Sequence, residues 1–270
     1  MTKTWEEFEI KCCRYLNTTY GNKQRQFIRQ GGSNSTHSDI EFILNKKSQF
    51  FIEAKMNTSQ SGQFVLIPDF DNKTFSYSEK NRFPENKFSQ EIIEHMNNNF
   101  TTFSNSGTAG TDIILDETIF NNWIISYYSS KNARYVISQD KDSNHVVFPI
   151  SEFGKYFATS AKYRMKKSGS SNPPKKSYQE IESLLSKSQF TNFQLEQNKK
   201  KLYLSTEYNM DEQKLYGEDY TYLCVKESPA KFKVTKLSNT ANSNVIFSIK
   251  LKNSQNQNDL KQFLLDLKIR

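Results

Sequence analysis

Three charged residues stand at the ends of two short apolar segments, in the stretch SDIEFILNKKSQFFIEAKM at positions 38–56. Asp39 opens the first segment, and Glu53 and Lys55 close the second. The segments are rich in Ile and Phe and are separated by a polar run at 45–48, which predicts a β-hairpin. Because side chains two residues apart on a strand point to the same side, Glu53 and Lys55 would share a face, with Asp39 opposite them.

Two carboxylates held close together repel each other and lose hydration, and a bound divalent cation can offset that cost. Oxygen ligands favour Mg²⁺, which keeps water in its shell and accepts phosphate oxygens. Such an ion stabilises charge on a phosphate and activates a water molecule, which Lys55 could orient or help to deprotonate. The chemistry indicated is hydrolysis of a phosphodiester. The alternative is a surface hairpin whose polar residues face solvent.

A helix and a loop precede this hairpin. Thr4 and Glu7 form a capping-box pattern, and apolar residues then recur at helical spacing, which predicts a helix over 5–17. Glu9 lies on the apolar face of that helix. A polar segment at 21–38 follows and is predicted to be a loop that leads into Asp39.

The rest of the chain alternates between strand and helix patterns. The predicted elements are hairpins at 63–78 and 133–150, helices at 89–99, 117–130 and 178–187, a short helix at 151–157, four β-like runs after residue 200 and a final helix at 259–268.

The acid on the first helix, the Asp at the start of one strand and the E-x-K on the next resemble the PD-(D/E)-x-K nuclease superfamily. The resemblance covers residues 5–70 and rests on Phe8-Glu9, Ser38-Asp39 and Glu53-Ala54-Lys55. Ser38 stands where the family has a nominal Pro. The fold that this resemblance implies is α+β, with an α/β/α nuclease core in which helices flank a mixed sheet.

The resemblance also implies roles for individual residues. Asp39 and Glu53 would be Mg²⁺ ligands, and Lys55 would be the group that activates water. Glu9 would support catalysis, although a partly exposed helix acid without a role is the alternative. Gln63, which we place at the start of the next strand, would hold the water or a phosphate.

The segment 153–179 contains no Asp or Glu and accumulates Lys and Arg, within a chain of formal charge +8. Such a run can bind DNA phosphates, while its neutral side chains add hydrogen bonds to bases or phosphates. The alternative is a solvated linker between two lobes. The residues predicted to contact DNA are Lys162, Tyr163, Arg164, Lys166, Lys167, Ser168, Ser170, Asn172, Lys175 and Lys176.

Within the superfamily, one E-x-K core joined to a basic, β-containing lobe is similar to type II restriction endonucleases. This implies Mg²⁺-dependent cleavage of both strands of double-stranded DNA at a short sequence, leaving 5′-phosphate ends, commonly by a homodimer. We expect a catalytic core over 1–158 and a C-terminal α+β DNA-recognition lobe over 159–270. The alternatives are a structure-specific or repair nuclease, and a DNA-binding defence protein that no longer cuts.

The three cysteines have neither a disulfide framework nor a zinc-ligand spacing, which favours a reducing compartment such as the bacterial cytoplasm. The first residues lack a cationic segment followed by an apolar one, and no run approaches the ~18 apolar residues that cross a bilayer. We therefore expect a cytoplasmic protein without a membrane partner.

Overall fold

The computed structural model describes residues 4–30, 37–107, 109–167, 171–187, 192–199, 201–218, 220–237 and 241–268. They form two compact units, one of Met1–Arg164 with Asn244–Arg270 and the other of Met165–Ser243. Together they make a mixed α+β protein.

Seven α-helices occur in this described part of the chain: α1 (Thr4–Tyr20), α2 (Lys87–Asn98), α3 (Phe100–Ser104), α4 (Glu117–Ser129), α5 (Phe153–Tyr156), α6 (Tyr178–Lys187) and α7 (Gln257–Asp266). The strands in the same residues are β1 (Arg25–Arg29), β2 (Ile40–Leu44), β3 (Lys47–Ala54), β4 (Thr58–Asp69), β5 (Thr74–Tyr77), β6 (Thr111–Ile113), β7 (Ala133–Gln139), β8 (His145–Pro149), β9 (Phe157–Lys167), β10 (Phe193–Asn198), β11 (Lys201–Thr206), β12 (Lys214–Tyr216), β13 (Thr221–Ser228), β14 (Lys231–Leu237) and β15 (Ala241–Leu251).

The first unit contains a five-stranded mixed sheet in the order β1-β2-β3-β7-β8. β3 and β7 are parallel, whereas β2 pairs antiparallel with β1 and β3. Alternate residues of β3, Ile52 among them, join the core that α1 and α7 cover with Leu16 and Phe263. On the opposite face of β3, Lys55, the residue that follows the strand, lies over the ring of Tyr128 of α4. Helices therefore flank the sheet on both faces, as the α/β/α prediction requires.

A second sheet of the first unit has the order β5-β4-β15-β9-β6. Its core is aromatic: Phe64 of β4 and Phe247 of β15 both contact Trp123 of α4, with ring centroids 5.5 and 4.4 Å away. Trp123 and Phe247 are fully buried. Helix α4 therefore packs against both sheets of the first unit, on β7 of one and β4 of the other.

The second unit is an antiparallel sheet in the order β10-β11-β14-β13-β12, covered on one face by α6. Ile181 and Leu185 of α6 pack on Leu204, Tyr222 and Val234 of the sheet. This unit therefore has an apolar core of its own.

Three sequence expectations differ from this architecture. The segment at 21–38, predicted to be a loop, contains β1, which has one buried residue, Phe27, and so gives little apolar signal. The basic segment at 153–179, for which a solvated linker was the alternative, starts in α5 and continues as the long strand β9. The C-terminal residues 244–270, which we assigned to the second lobe, belong to the first unit because β15 lies between β4 and β9.

Candidate active site

A tight turn brings the predicted acids together. Asn45 and Lys46 both have positive φ, at 50° and 65°, so two residues close the β2–β3 hairpin. This backbone twist matches that of paired strands. A β-bulge between Phe42 and Ile43 then shifts the register by one residue. Ile40 is paired with Ile52, and the next residue outward on each strand is an acid. Asp39 thus faces Glu53, as the sequence predicts.

Glu53 and Lys55 lie on the same face of the sheet and form an ion pair. Their Oε1 and Nζ atoms are 2.6 Å apart, and both side chains are largely removed from solvent. Burial by itself would lower the pKa of Lys55, but the charge of Glu53, then those of Tyr128 and Asp39, more than offset it and hold that pKa well above its usual range. Lys55 is therefore a cation in this structure.

Asp39 is joined to the second strand through its side chain. Its Oδ2 atom accepts the backbone N–H of Ala54 at 2.9 Å. Burial, followed by the charge of Glu53, raises the pKa of Asp39, although Lys55 and the Ala54 hydrogen bond act in the opposite direction. Two carboxylates with one lysine between them therefore repel each other, and without a bound cation this repulsion favours a proton on Asp39.

Asp39 and Lys55 line a cavity of about 400 Å³ in the first unit, and Glu53 adjoins it through its ion pair with Lys55. The residues lining it are Trp5, Phe8, Glu9, Asp39, Ala54, Lys55, Met56, Ser59 and Gln60. The cavity has room for a hydrated ion and part of a phosphate, because a single water occupies about 30 Å³.

Glu9, from α1, is the second acid that lines this cavity, beside Asp39. It is 7% exposed, and its carboxylate is held by Arg29 of β1 at 2.9 Å. Burial raises the pKa of Glu9, although Arg29 lowers it. The alternative of an exposed helix acid is wrong. Arg29, which sequence reasoning missed, lies in the segment predicted to be a loop.

Gln63 is placed differently from the prediction. It does not begin a strand: β4 starts at Thr58, and Gln63 is exposed in its middle. Gln60 lines the cavity instead and donates from Nε2 to Oε1 of Gln63 at 3.2 Å. The run of residues 58–62 is polar, so its strand character has no apolar pattern that the sequence could reveal.

Among the described residues, no group of three or more His, Cys, Asp or Glu side chains is arranged to hold a metal ion. This does not conflict with Mg²⁺, which is commonly bound through one or two carboxylates, with waters and substrate phosphates completing the shell. Asp39 and Glu53 supply two such carboxylates next to a cavity, and their mutual repulsion, which raises the pKa of Asp39, is one that a bound cation would relieve. The donor set therefore fits a hydrated Mg²⁺ ion.

The predicted DNA contacts at the end of the first unit are only partly available. Tyr163 is fully buried between Phe75 and Phe103, with ring centroids 5.2 and 6.2 Å away, so the prediction that it contacts DNA is wrong. Lys162 is partly exposed and pairs with Asp112 at 3.3 Å, an acid distant in sequence. Arg164 is partly buried, and its Nε has no hydrogen-bond partner among the described residues.

The remaining basic residues belong to the second unit. Asn172, Lys175 and Lys176 are exposed just before α6. Ser168 and Ser170 lie outside the described residues, as do the side chains of Lys166 and Lys167. Their predicted contacts with DNA stay predictions.

No family model matches the chain, and no curated protein sequence matches it. Comparison with solved structures gives a full-length match to the HhaI endonuclease in complex with DNA, with 39% sequence identity and a TM-score of 0.69. The match covers 99% of this chain and 100% of that one. No helix in the described part of the chain is long and apolar enough to cross a membrane.

Proposed function

Because this chain belongs to the family of the HhaI endonuclease, a type II restriction enzyme, we propose that it cuts double-stranded DNA at a specific short sequence, with Mg²⁺ as cofactor. The observation that supports the proposed cleavage is that Asp39, Glu53 and Lys55 converge beside one cavity. The same convergence supports membership of the PD-(D/E)-x-K superfamily.

Asp39 and Glu53 would hold the ion. When bound, Mg²⁺ supplies a Lewis acid that neutralises charge on phosphate oxygens and lowers the pKa of a water. The Lys55 ammonium, fixed by Glu53 at 2.6 Å, can donate hydrogen bonds to that water or to a phosphate oxygen in the cavity. Glu9 and Gln60 border the same space and are proposed as supporting groups.

Hydrolysis proceeds by attack of the water oxygen on phosphorus. The new P–O bond forms as the bond from phosphorus to the 3′ oxygen breaks. The proton that the water loses passes to bulk solvent, and the 3′ oxygen takes up a proton from bulk solvent. The products are a 3′-hydroxyl and a 5′-phosphate, which are the proposed ends. Lys55 stabilises the negative charge that increases on the phosphate during this step.

DNA binding is proposed to involve Lys162 of the first unit, which is partly exposed, and Lys175 and Lys176 of the second unit, which are exposed. Their contacts would be mainly with phosphates, which fix position without reading sequence. The homodimer that the resemblance implies stays a prediction, which sedimentation of the purified protein checks.

Digestion of unmethylated phage DNA in Mg²⁺ tests the proposal. We expect discrete fragments with 5′-phosphates, and we expect no fragments with Asp39→Ala or Lys55→Ala. Lys131→Ala is a matched control, because Lys131 is also held by a tyrosine of α4, at 2.7 Å from the Tyr127 hydroxyl, yet does not line the cavity. It should cut normally.

Two outcomes would contradict the proposal. A smear of products without defined ends would indicate a structure-specific or repair nuclease. Tight DNA binding that is equal in EDTA and in Mg²⁺, with no cleavage of any substrate, would indicate a DNA-binding protein that does not cut.

A further inference from the structure

Two residues that the proposed cleavage mechanism does not use, Tyr128 and Ser61, support the position of the Lys55 ammonium group. Its Nζ atom lies 4.9 Å from the centroid of the Tyr128 ring, so the ammonium sits over the aromatic face. The Tyr128 hydroxyl in turn accepts a hydrogen bond from the hydroxyl of Ser61 at 3.4 Å. Three segments contribute one residue each to these contacts: Lys55 follows strand β3, Tyr128 belongs to α4 and Ser61 belongs to β4.

Both supporting residues are removed from solvent. Tyr128 is 3% exposed and Ser61 is 0% exposed. Gly62, which follows Ser61, has φ of +92°, and a Cβ there would lie 2.8 Å from the Trp123 ring. The close approach of β4 to α4 therefore depends on glycine, and it brings the Ser61 hydroxyl within reach of Tyr128.

A lysine needs such support if it is to act at one place. Its four-carbon stem is flexible, and Glu53 fixes the ammonium from one side only. An aromatic face attracts a cation without offering it a proton acceptor, so it can hold the ammonium while leaving its N–H groups for other partners. Tyr128 meets this requirement by position and by chemistry.

We propose that Tyr128 is a positioning residue for cleavage: its ring, braced by Ser61, holds the Lys55 ammonium at the mouth of the cavity beside Glu53. This rests on the proposed role of Lys55. A purely structural role for Tyr128 is the competing explanation, because a buried tyrosine also contributes to packing.

The neighbouring Tyr127 separates the two explanations. It contacts a lysine in the same way, with the Lys131 Nζ 4.2 Å from its ring centroid and 2.7 Å from its hydroxyl. It also packs on Trp123, with ring centroids 5.1 Å apart. Variants of Tyr127 therefore remove the same kind of contact from the same helix and leave the ring beside Lys55 in place. The Tyr127 and Tyr128 rings contact each other, with centroids 5.0 Å apart, so Tyr127→Phe, which keeps its ring, is the closer control.

The experiment compares Tyr128→Phe and Tyr128→Leu with Tyr127→Phe and Tyr127→Leu. We measure kcat and KM for cleavage, DNA affinity in EDTA and the thermal midpoint, at a temperature where every variant is folded. Tyr128→Leu should lower kcat about tenfold, because the aromatic face that attracts the Lys55 ammonium is lost. Tyr128→Phe keeps that face and loses only the hydroxyl that Ser61 braces, so its kcat should fall by about threefold at most. KM and DNA affinity should stay at the wild-type values, and both Tyr127 variants should keep the wild-type kcat.

Other results would overturn the inference. If Lys55→Ala is inactive but the Tyr128 and Tyr127 variants have equal kcat values, Tyr128 is structural and the proposed function stands. If the Tyr128 variants change KM and DNA affinity instead of kcat, Tyr128 acts on binding. If Lys55→Ala cuts at the wild-type rate, the proposed function and this inference both fail.

Discussion

Two buried clusters on the same mixed sheet each contain acids, and they differ in how far those acids are neutralised. Asp266 of α7 is 6% exposed and accepts hydrogen bonds from the Tyr135 hydroxyl at 2.6 Å and from Gln262 at 3.1 Å. Arg134 adds a cation at 2.9 Å. Asp39, by contrast, accepts one backbone N–H and faces a second carboxylate.

The difference separates a structural acid from a functional one. A buried carboxylate with several donors stabilises the fold that supplies them. A pair of acids with one lysine between them, beside a cavity, costs stability unless a cation or substrate is bound. Burial alone therefore does not distinguish the two acids, whereas incomplete neutralisation supports the proposal that Asp39 belongs to the active site.

The largest expected effect is on cleavage. Glu53→Gln keeps the shape of the side chain but removes the charge that pairs with Lys55 and that would hold Mg²⁺. We expect cleavage of a duplex with one recognition site to slow by about 10³-fold, the scale associated with loss of a catalytic charge. Gel analysis of end-labelled DNA measures it, and a loss of less than tenfold would place Glu53 outside the mechanism.

Asp266→Ala should act on stability and not on chemistry. The substitution leaves the buried Tyr135 hydroxyl without its acceptor and Arg134 without its acid. We expect the free energy of unfolding to fall by about 2–4 kcal/mol, measured by urea denaturation. An unchanged midpoint would show that the two clusters do not differ in the way described above.

In the absence of metal, Asp39→Asn should raise the free energy of unfolding, whereas Asp266→Ala lowers it. Asn retains an oxygen that can accept the Ala54 N–H, and it removes the repulsion with Glu53. We expect the protein in EDTA to gain about 1 kcal/mol of stability, because active-site residues are commonly kept at a cost to the fold.

The same pair of proteins gives a metal test. Added Mg²⁺ should stabilise the wild type by mass action, and this gain should shrink or vanish in Asp39→Asn. Equal stabilisation of both proteins would mean that the ion binds elsewhere.

The smallest effect is expected at an exposed acid, which provides a baseline for the two buried clusters. Asp112 is 66% exposed and pairs with Lys162, which is 43% exposed. Asp112→Asn should change stability by no more than about 0.5 kcal/mol, since water screens such pairs. It should also tighten DNA binding slightly if Lys162 contacts phosphate, and anisotropy titrations at several salt concentrations measure this.

The hairpin and its three charged residues could be predicted from sequence because the information is local. The apolar alternation along β2 and β3 and the polar run between them place Asp39 opposite Glu53 to within one residue, whereas the β-bulge between Phe42 and Ile43 that sets the final pairing was not predicted. The acid on α1 could be placed for the same reason. These predictions depend on spacing within one element or between adjacent ones.

What could not be predicted depends on contacts between distant segments. Tyr163 looks like part of an exposed basic run, but the partners that bury it, Phe75 and Phe103, are about 60 to 90 residues away. Likewise, nothing in the run at 244–251 indicates that β15 inserts between β4 and β9. Gln60 enters the cavity only because β4 begins earlier than its apolar residues do.

The most direct test compares the two acids in one assay, as single-turnover cleavage of a one-site duplex by Asp39→Asn and by Asp266→Ala in Mg²⁺, at a temperature where both are folded. We predict that Asp39→Asn is slowed by about 10³-fold while Asp266→Ala stays within about threefold of the wild type. Cleavage by Asp39→Asn at a rate close to that of the wild type would contradict the assignment of this carboxylate pair as the catalytic centre.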